Sequence, residues 1–397
     1  MSCVACHQQS LDSSGVSFSG IMHFDSAIIY GPYGLGKDEP PLYDLPMMTY
    51  SNYTPMYGSH IEESVICADC HTLITQTTDL DGNPTGGEFV EQATYHEWIN
   101  SAFSGLGVDL PEDAEDFEAT CQSCHMPQID DPVIISSGYA FLEPRTPYGL
   151  HQLAGANTAM LEIMRDNLSQ LGLTASIEQF DSTLLWTQQM LTEKTIDLEV
   201  LSTSWNDVIF GEDAYEIVVQ LRNKAGHKFP SGYPARRAWI EVVAHQGGDT
   251  LWHSGKWEEG GFLVGVDEGG LDTYEPHYTD IVEEDEVQVY ELVAVDVTGT
   301  PTNVLERAAS SAKDNRLLPL GFSDDHAAYD TTRIEGQALQ DVDYAFTSEA
   351  GLDRTHYTMT GNPSVAGDVI VDVRIWYQSM PARWVAPMFD IQDSTIQ

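Results

Sequence analysis

All six cysteines of this 397-residue chain fall in three copies of one five-residue pattern. Cys3, Cys6 and His7 spell the first, Cys67, Cys70 and His71 the second, and Cys121, Cys124 and His125 the third. C-x-x-C-H is the attachment pattern of a c-type haem. If the cysteines formed disulfides across a two-residue gap, the trailing histidine would be a coincidence three times over. Structural zinc needs four ligands in paired knuckles, which three identical half-sites supply poorly. The pattern therefore predicts three covalent haem c groups, each bound by thioethers to one cysteine pair. The histidine next to the second thioether can reach only the iron, so His7, His71 and His125 are the expected proximal ligands.

The sixth iron position decides the chemistry. A second histidine gives a low-spin, low-potential centre, methionine raises the potential, and a vacancy admits a substrate. Of thirteen histidines three are proximal, which leaves ten. Four are the candidate distal ligands, of which three are needed. His60 stands in YGSHIEESVICADCH, His151 in YGLHQLAGAN, His23 in GIMHFDSAIIYGPYG and His227 in NKAGHKFPSGYPARRAW. His96, in TYHEWINS, is weaker, and the histidines beyond His227 are expected to be structural. Met47, Met48, Met56 and Met126 could also ligate, but the histidines suffice. No catalytic residue is assigned.

The formal charge is -45, from 62 acidic and 17 basic residues. Nucleic acid is excluded as a partner because phosphate binding needs a basic footprint. Disorder is excluded because aromatic and β-branched residues run throughout. Arg222, Lys224, Lys228, Arg236 and Arg237 gather around His227. They form either a solvated basic face or a partner for haem propionates, since buried carboxylates need charged partners. The Asp79, Asp81, Asn83 spacing matches part of a calcium loop, yet Asp-Gly-Asn-Pro is more simply a turn. No run of 18 apolar residues is present, so no membrane span is expected. Haem is joined to such motifs outside the cytoplasm, and no apolar signal core precedes Cys3. The expectation is an exported protein, periplasmic or extracellular, whose signal was removed ahead of this numbering.

The fold class expected is mixed. Residues 1–154 hold all three motifs, with little periodicity and few helices, so haem is expected to supply the core. Residues 155–193 read as a helical hairpin, with Met160, Ile163, Met164 and Leu168 at helical spacing. Residues 194–397 read as an antiparallel β-sandwich-like domain. Its expected strands are TIDLEVLST, YEIVVQLRN, RAWIEVVAHQ, TLWHSG, EVQVYELVAVDV and DVIVDVRIWYQSM. The segment from Pro301 to Asp353 is expected to be a partly helical or irregular insertion.

Several stretches resemble multihaem c-type cytochromes of anaerobic, often metal-respiring bacteria. They are HIEESVICADCHTL, FVEQATYHEWINSAF followed by CQSCHMP, HQLAGAN, GHKFPSGYPARRAWIEV, DNRLLPLGF and VDVRIWYQSMPARWV. The resemblance implies electron transfer in the periplasm or at the outer surface and a distal role for His151. It also admits a polymeric filament with haem-to-haem contacts between subunits. The function expected is therefore electron relay through closely packed bis-histidine haems, with other cytochromes or redox partners, and not an enzyme. The alternative is a haem oxidoreductase with one five-coordinate iron that reduces a small oxyanion.

Overall fold

The structure, a computed structural model, describes residues 3–34, 36, 44–105, 119–136, 138–139, 141–209, 212–344, 351–360 and 367–389. It is a mixed, largely β protein. Among the described residues, the first 154 carry only short helices: besides Asp44–Ser51 these are α1 (Val4–His7), α2 (Val65–Ala68), α3 (Thr94–Ile99) and α4 (Cys121–His125). Between α2 and α3 lies an antiparallel hairpin, β1 (Leu73–Thr78) and β2 (Pro84–Gln92). Buried apolar side chains are few here. Among the described residues of this region they are Ile66, Ala68, Phe89, Ala93, Ala102 and Ala154. So sparse a core cannot offset the ordering entropy of so long a segment.

Polar contacts fix the three motifs to one another. The Cys121 N–H donates to Ser64 Oγ at 3.0 Å, and Gln122 Nε2 donates to the carbonyls of Ile61 and Glu63. The buried Asp69 carboxylate accepts from the N–H groups of Gly15 and Phe18. These contacts bring chain segments more than fifty residues apart onto one scaffold.

Two helices follow, α5 (Thr158–Asp166) and α6 (Ile177–Glu193). Asn157 caps α5 by accepting from the Met160 N–H. Ser176 and Gln179 form a reciprocal capping box at the start of α6. The buried stripe of α6 is Phe180, Leu184 and Thr187, and Leu191 packs on the β core.

From residue 196 the chain is strand-rich. One sheet orders β7 (Asp280–Ile281), β10 (Leu352–Thr360), β4 (Glu212–Asn223) and β3 (Ile196–Ile209). The other contains β6 (Asp249–Ser254), β5 (Arg237–Gln246), β8 (Val289–Val295), β9 (Ser310–Asp314) and β11 (Ile370–Gln378), with β11 paired along β5. Alternate residues of β4 (Ile217, Val219, Leu221) and of β5 (Ala238, Ile240, Val242, Ala244) enter one core cluster. Tyr357 and Met359 of β10 join it.

All six expected strands are present. Two features differ from expectation. The expected insertion contains β9 and ends in β10, whose alternating burial marks a central strand. The β7–β10 pair is parallel, so the sheet is not wholly antiparallel.

Candidate haem-binding site

Each proximal histidine leaves a short helix that its motif builds. The His7 N–H donates to Cys3 O at 3.0 Å and the His71 N–H to Cys67 O at 2.9 Å. In the third motif the Thr120 side chain caps α4 by accepting from the Ser123 N–H. The helical turn places both cysteines and the histidine on one side.

The rings then acquire a defined tautomer. His7 Nδ1 lies 2.6 Å from Tyr30 O, His125 Nδ1 2.7 Å from Ala154 O, and His227 Nδ1 2.8 Å from Lys228 O. His151 Nδ1 lies 3.2 Å from Gly149 O. A carbonyl can only accept, so each Nδ1 carries the proton and each Nε2 keeps its lone pair for a metal.

These four rings form two facing pairs. The His7 and His151 centroids are 6.2 Å apart, with 31° between planes. The His125 and His227 centroids are 6.4 Å apart, with 16° between planes. Two metal–imidazole bonds of about 2.0 Å in line set ring centres about 6.3 Å apart. The spacing of both pairs matches that, and His7 and His125 each directly follow a cysteine pair.

His71 is different. Its side chain is exposed within a protein-lined gap, and Nδ1 lies 3.3 Å from Gln92 Nε2. Burial among protein atoms, with His125 and Arg236 nearby, lowers its pKa. Among the described residues no second imidazole stands opposite it at the spacing of the other two pairs.

His60, expected as a distal ligand, is fully buried. Its Nε2 lies 2.9 Å from Gln9 O and so carries the proton, while buried Nδ1 has no partner. Its free lone pair is therefore on Nδ1, the opposite tautomer to that of the paired rings. His23 is exposed, and its neighbour Met22 places Sδ 3.6 Å from Cys70 Sγ.

His96, the weaker sequence candidate, is better placed than its rank suggested. The Thr331 hydroxyl donates to Ala328 O, so it accepts from His96 Nδ1 at 2.7 Å and leaves Nε2 with a lone pair. The adjoining Tyr95 N–H donates to His71 O. The signal lay in Thr331, 235 residues away in sequence.

The second and third motifs touch. Cys67 and His71 of the second line one cavity with Cys121, Cys124 and His125 of the third. That cavity, of about 330 Å³, opens between the third motif, His227, the end of α6 and β11. Its lining includes Lys194, Lys224 and Arg236 and no aspartate or glutamate. In a chain with 62 acidic residues, that lining suits an apolar group bearing carboxylates.

The basic island around His227 divides. Lys224 and Arg236 face the cavity, whereas Arg222 is exposed elsewhere. Arg237 is fully buried and pairs with Asp267 at 2.7 Å. Lys228 is fully buried on Asp314 at 2.8 Å, and Arg316 bridges Asp314 at 2.7 Å and Glu97 at 3.0 Å. Burial alone would raise the Asp314 carboxyl, but Arg316 and Lys228 outweigh it and hold it down at about 2. This network fixes the backbone beside His227 and ties α3 to the β domain.

One cluster elsewhere resembles a metal site, namely His277 with Asp341 and Asp353, all buried. Its hydrogen bonds argue against one. Gln288 and Asn315 each accept from a backbone N–H through oxygen, so both present an NH₂ to His277 Nδ1 at 3.1 Å. His277 must then carry its proton on Nε2, facing Asp341 at 3.2 Å. The cluster is a buried hydrogen-bond network. The Asp79 carboxylate accepts from the N–H groups of Asp81 and Asn83, which makes the calcium-like segment a turn.

No protein-family model matches the chain. No curated protein matches it either. Among solved structures it is similar to a penta-heme cytochrome c552 from Thermochromatium tepidum. The TM-score is 0.50 at 15% identity, over 100% of this chain and 73% of that one. The likeness is one of fold alone. No described helix is long and apolar enough to cross a membrane.

Proposed function

We propose that this chain is a trihaem c-type cytochrome that relays electrons in the periplasm or outside the cell. The observation that carries the reading is the pair of facing imidazoles, His7 with His151 and His125 with His227, each spaced to span an iron. Haem supplies reversible one-electron exchange at its iron. The residues do the rest. Cys3, Cys6, Cys67, Cys70, Cys121 and Cys124 fix three macrocycles covalently. Backbone carbonyls hold His7, His125, His151 and His227 in the ligating tautomer. The cavity that Cys67, His71, Cys121, Cys124 and His125 share brings the second and third attachment sites together, which favours direct transfer between them. His96 or His23 completes the second iron, since both border its motif with accessible rings.

The β domain is read as a sandwich-like scaffold that positions His227. Partners are other cytochromes or redox proteins, and a homopolymer with haem contacts between subunits is compatible with the reading. The test is substitution of the distal histidines. His151→Ala or His227→Ala each converts one low-spin haem to high-spin while all three remain attached. Unchanged spectra in both variants would overturn the assignment.

A second reading rests on His71, which lacks a facing imidazole among the described residues. An open second iron near the Arg236 cation would suit reduction of a small oxyanion. A high-spin signal that responds to nitrite in the native protein would favour it.

A further inference from the structure

One wall of the cavity beside His227 combines two groups that the fold leaves without partners of the expected kind. Tyr377 lies on β11, with its ring 5.6 Å from that of Phe229. Its hydroxyl is buried and makes no hydrogen bond, an arrangement that costs about 1–3 kcal/mol unless a ligand satisfies it. Arg236 precedes β5 and donates from Nη1 to Ser231 O at 2.6 Å. Among the described residues no carboxylate pairs with Arg236, although Lys228, Arg237, Lys313, Arg316 and Arg383 each have one. An arginine unpaired in so acidic a chain, aimed into a cavity without acids, is a site for an anion supplied from outside the polypeptide.

We propose that Arg236 and the Tyr377 hydroxyl together grip the propionate edge of the haem that fills this cavity and raise its potential. The inference rests on the trihaem reading. Lys194 and Lys224 also line the cavity, and Lys224 is already partly neutralised by Asp197 at 2.7 Å. His71 and Tyr95 also line the cavity, as do Cys67, Cys121, Cys124, His125 and His227 of the motifs and the distal site. A propionate close to iron favours the ferric state, and a cation paired with it cancels that preference. Arg236 and Tyr377 touch no reacting atom of a partner. They act as positioning residues through the macrocycle's carboxylates.

The experiment is a spectroelectrochemical titration of the intact holoprotein, with haem stoichiometry and spin state recorded on each sample. Arg236→Gln is expected to lower one potential of three, with at least a tenfold change in that haem's reduced-to-oxidised ratio at fixed potential, or 59 mV for one electron. Tyr377→Phe, which keeps the ring packing, gives a smaller shift of the same haem in the same direction. Arg236→Lys restores most of the loss. Lys256→Gln, an exposed charge away from the cavity, moves none of the three. Three attached haems with unshifted potentials in both Arg236→Gln and Tyr377→Phe would overturn this proposal alone. Fewer than three haems in the unsubstituted protein would overturn the reading on which it rests.

Discussion

Asp314→Asn tests whether the β domain holds the distal ligand in place. Lys228 is fully buried, and its own backbone carbonyl fixes the His227 tautomer. In the native network the charges of Lys228 and Arg316 are balanced by Asp314 and Glu97. Neutralising Asp314 leaves one positive charge uncompensated beside side chains with 0% and 9% exposure. Removing one member of such a buried set costs about 3–5 kcal/mol, because the orphaned charge keeps its desolvation penalty. The assay is guanidinium unfolding of the holoprotein followed by far-UV dichroism, with the Soret band recorded in the native baseline. A loss of about 3 kcal/mol or more and a growing high-spin fraction are expected. Asp314→Asn with Lys228→Met should recover part of the stability, because it removes the stranded ammonium. A loss below about 1 kcal/mol, within the range of exposed pairs, would refute the argument that the network is dry.

Acid should weaken the same network. Asp314 is held at about 2 in the fold against an ordinary 3.8, so its contribution of about 2 kcal/mol is complete above pH 4 and fades as pH falls toward 2, readable as a falling unfolding midpoint that Asp314→Asn lacks. His60→Gln keeps a donor for the Gln9 carbonyl and is expected to retain three haems with an unchanged spin state, whereas a new high-spin haem would make His60 a ligand after all. Protein prepared without haem attachment should be cleaved by protease throughout residues 1–154 and resist in the β domain; uniform resistance would show that the polypeptide alone makes the first core.

What the sequence discloses depends on how local the signal is. The haem motifs are five residues long, and their geometry is set within one helical turn. The strands are legible because apolar residues at every second position, Ile217, Val219 and Leu221 on one and Ala238, Ile240 and Val242 on another, enter one core cluster. Leu352–Thr360 escaped that reading because its inward positions include the polar Asp353 and Thr355, of which Asp353 is held by Gln288 and Tyr290 far away in sequence. Distal histidines are harder still, since a lone histidine carries no periodicity. The hydrogen-bond partners that set the ring tautomers of His60 and His96, Gln9 and Thr331, lie 51 and 235 residues away, beyond the reach of any local pattern. The basic island around His227 misled for a related reason. Sequence proximity made it one patch, whereas folding sends Arg237 to Asp267 and Lys228 to Asp314.

The central claim is three covalent haems with imidazole on both faces of the first and third irons. Low-temperature electron paramagnetic resonance of the oxidised native protein, scaled to haem content from the reduced optical spectrum, addresses it directly. The account predicts three haems per chain and at least two low-spin bis-histidine signals, which disappear one at a time in His151→Ala and His227→Ala. Fewer than three haems, or high-spin signals from more than one of them, would contradict it.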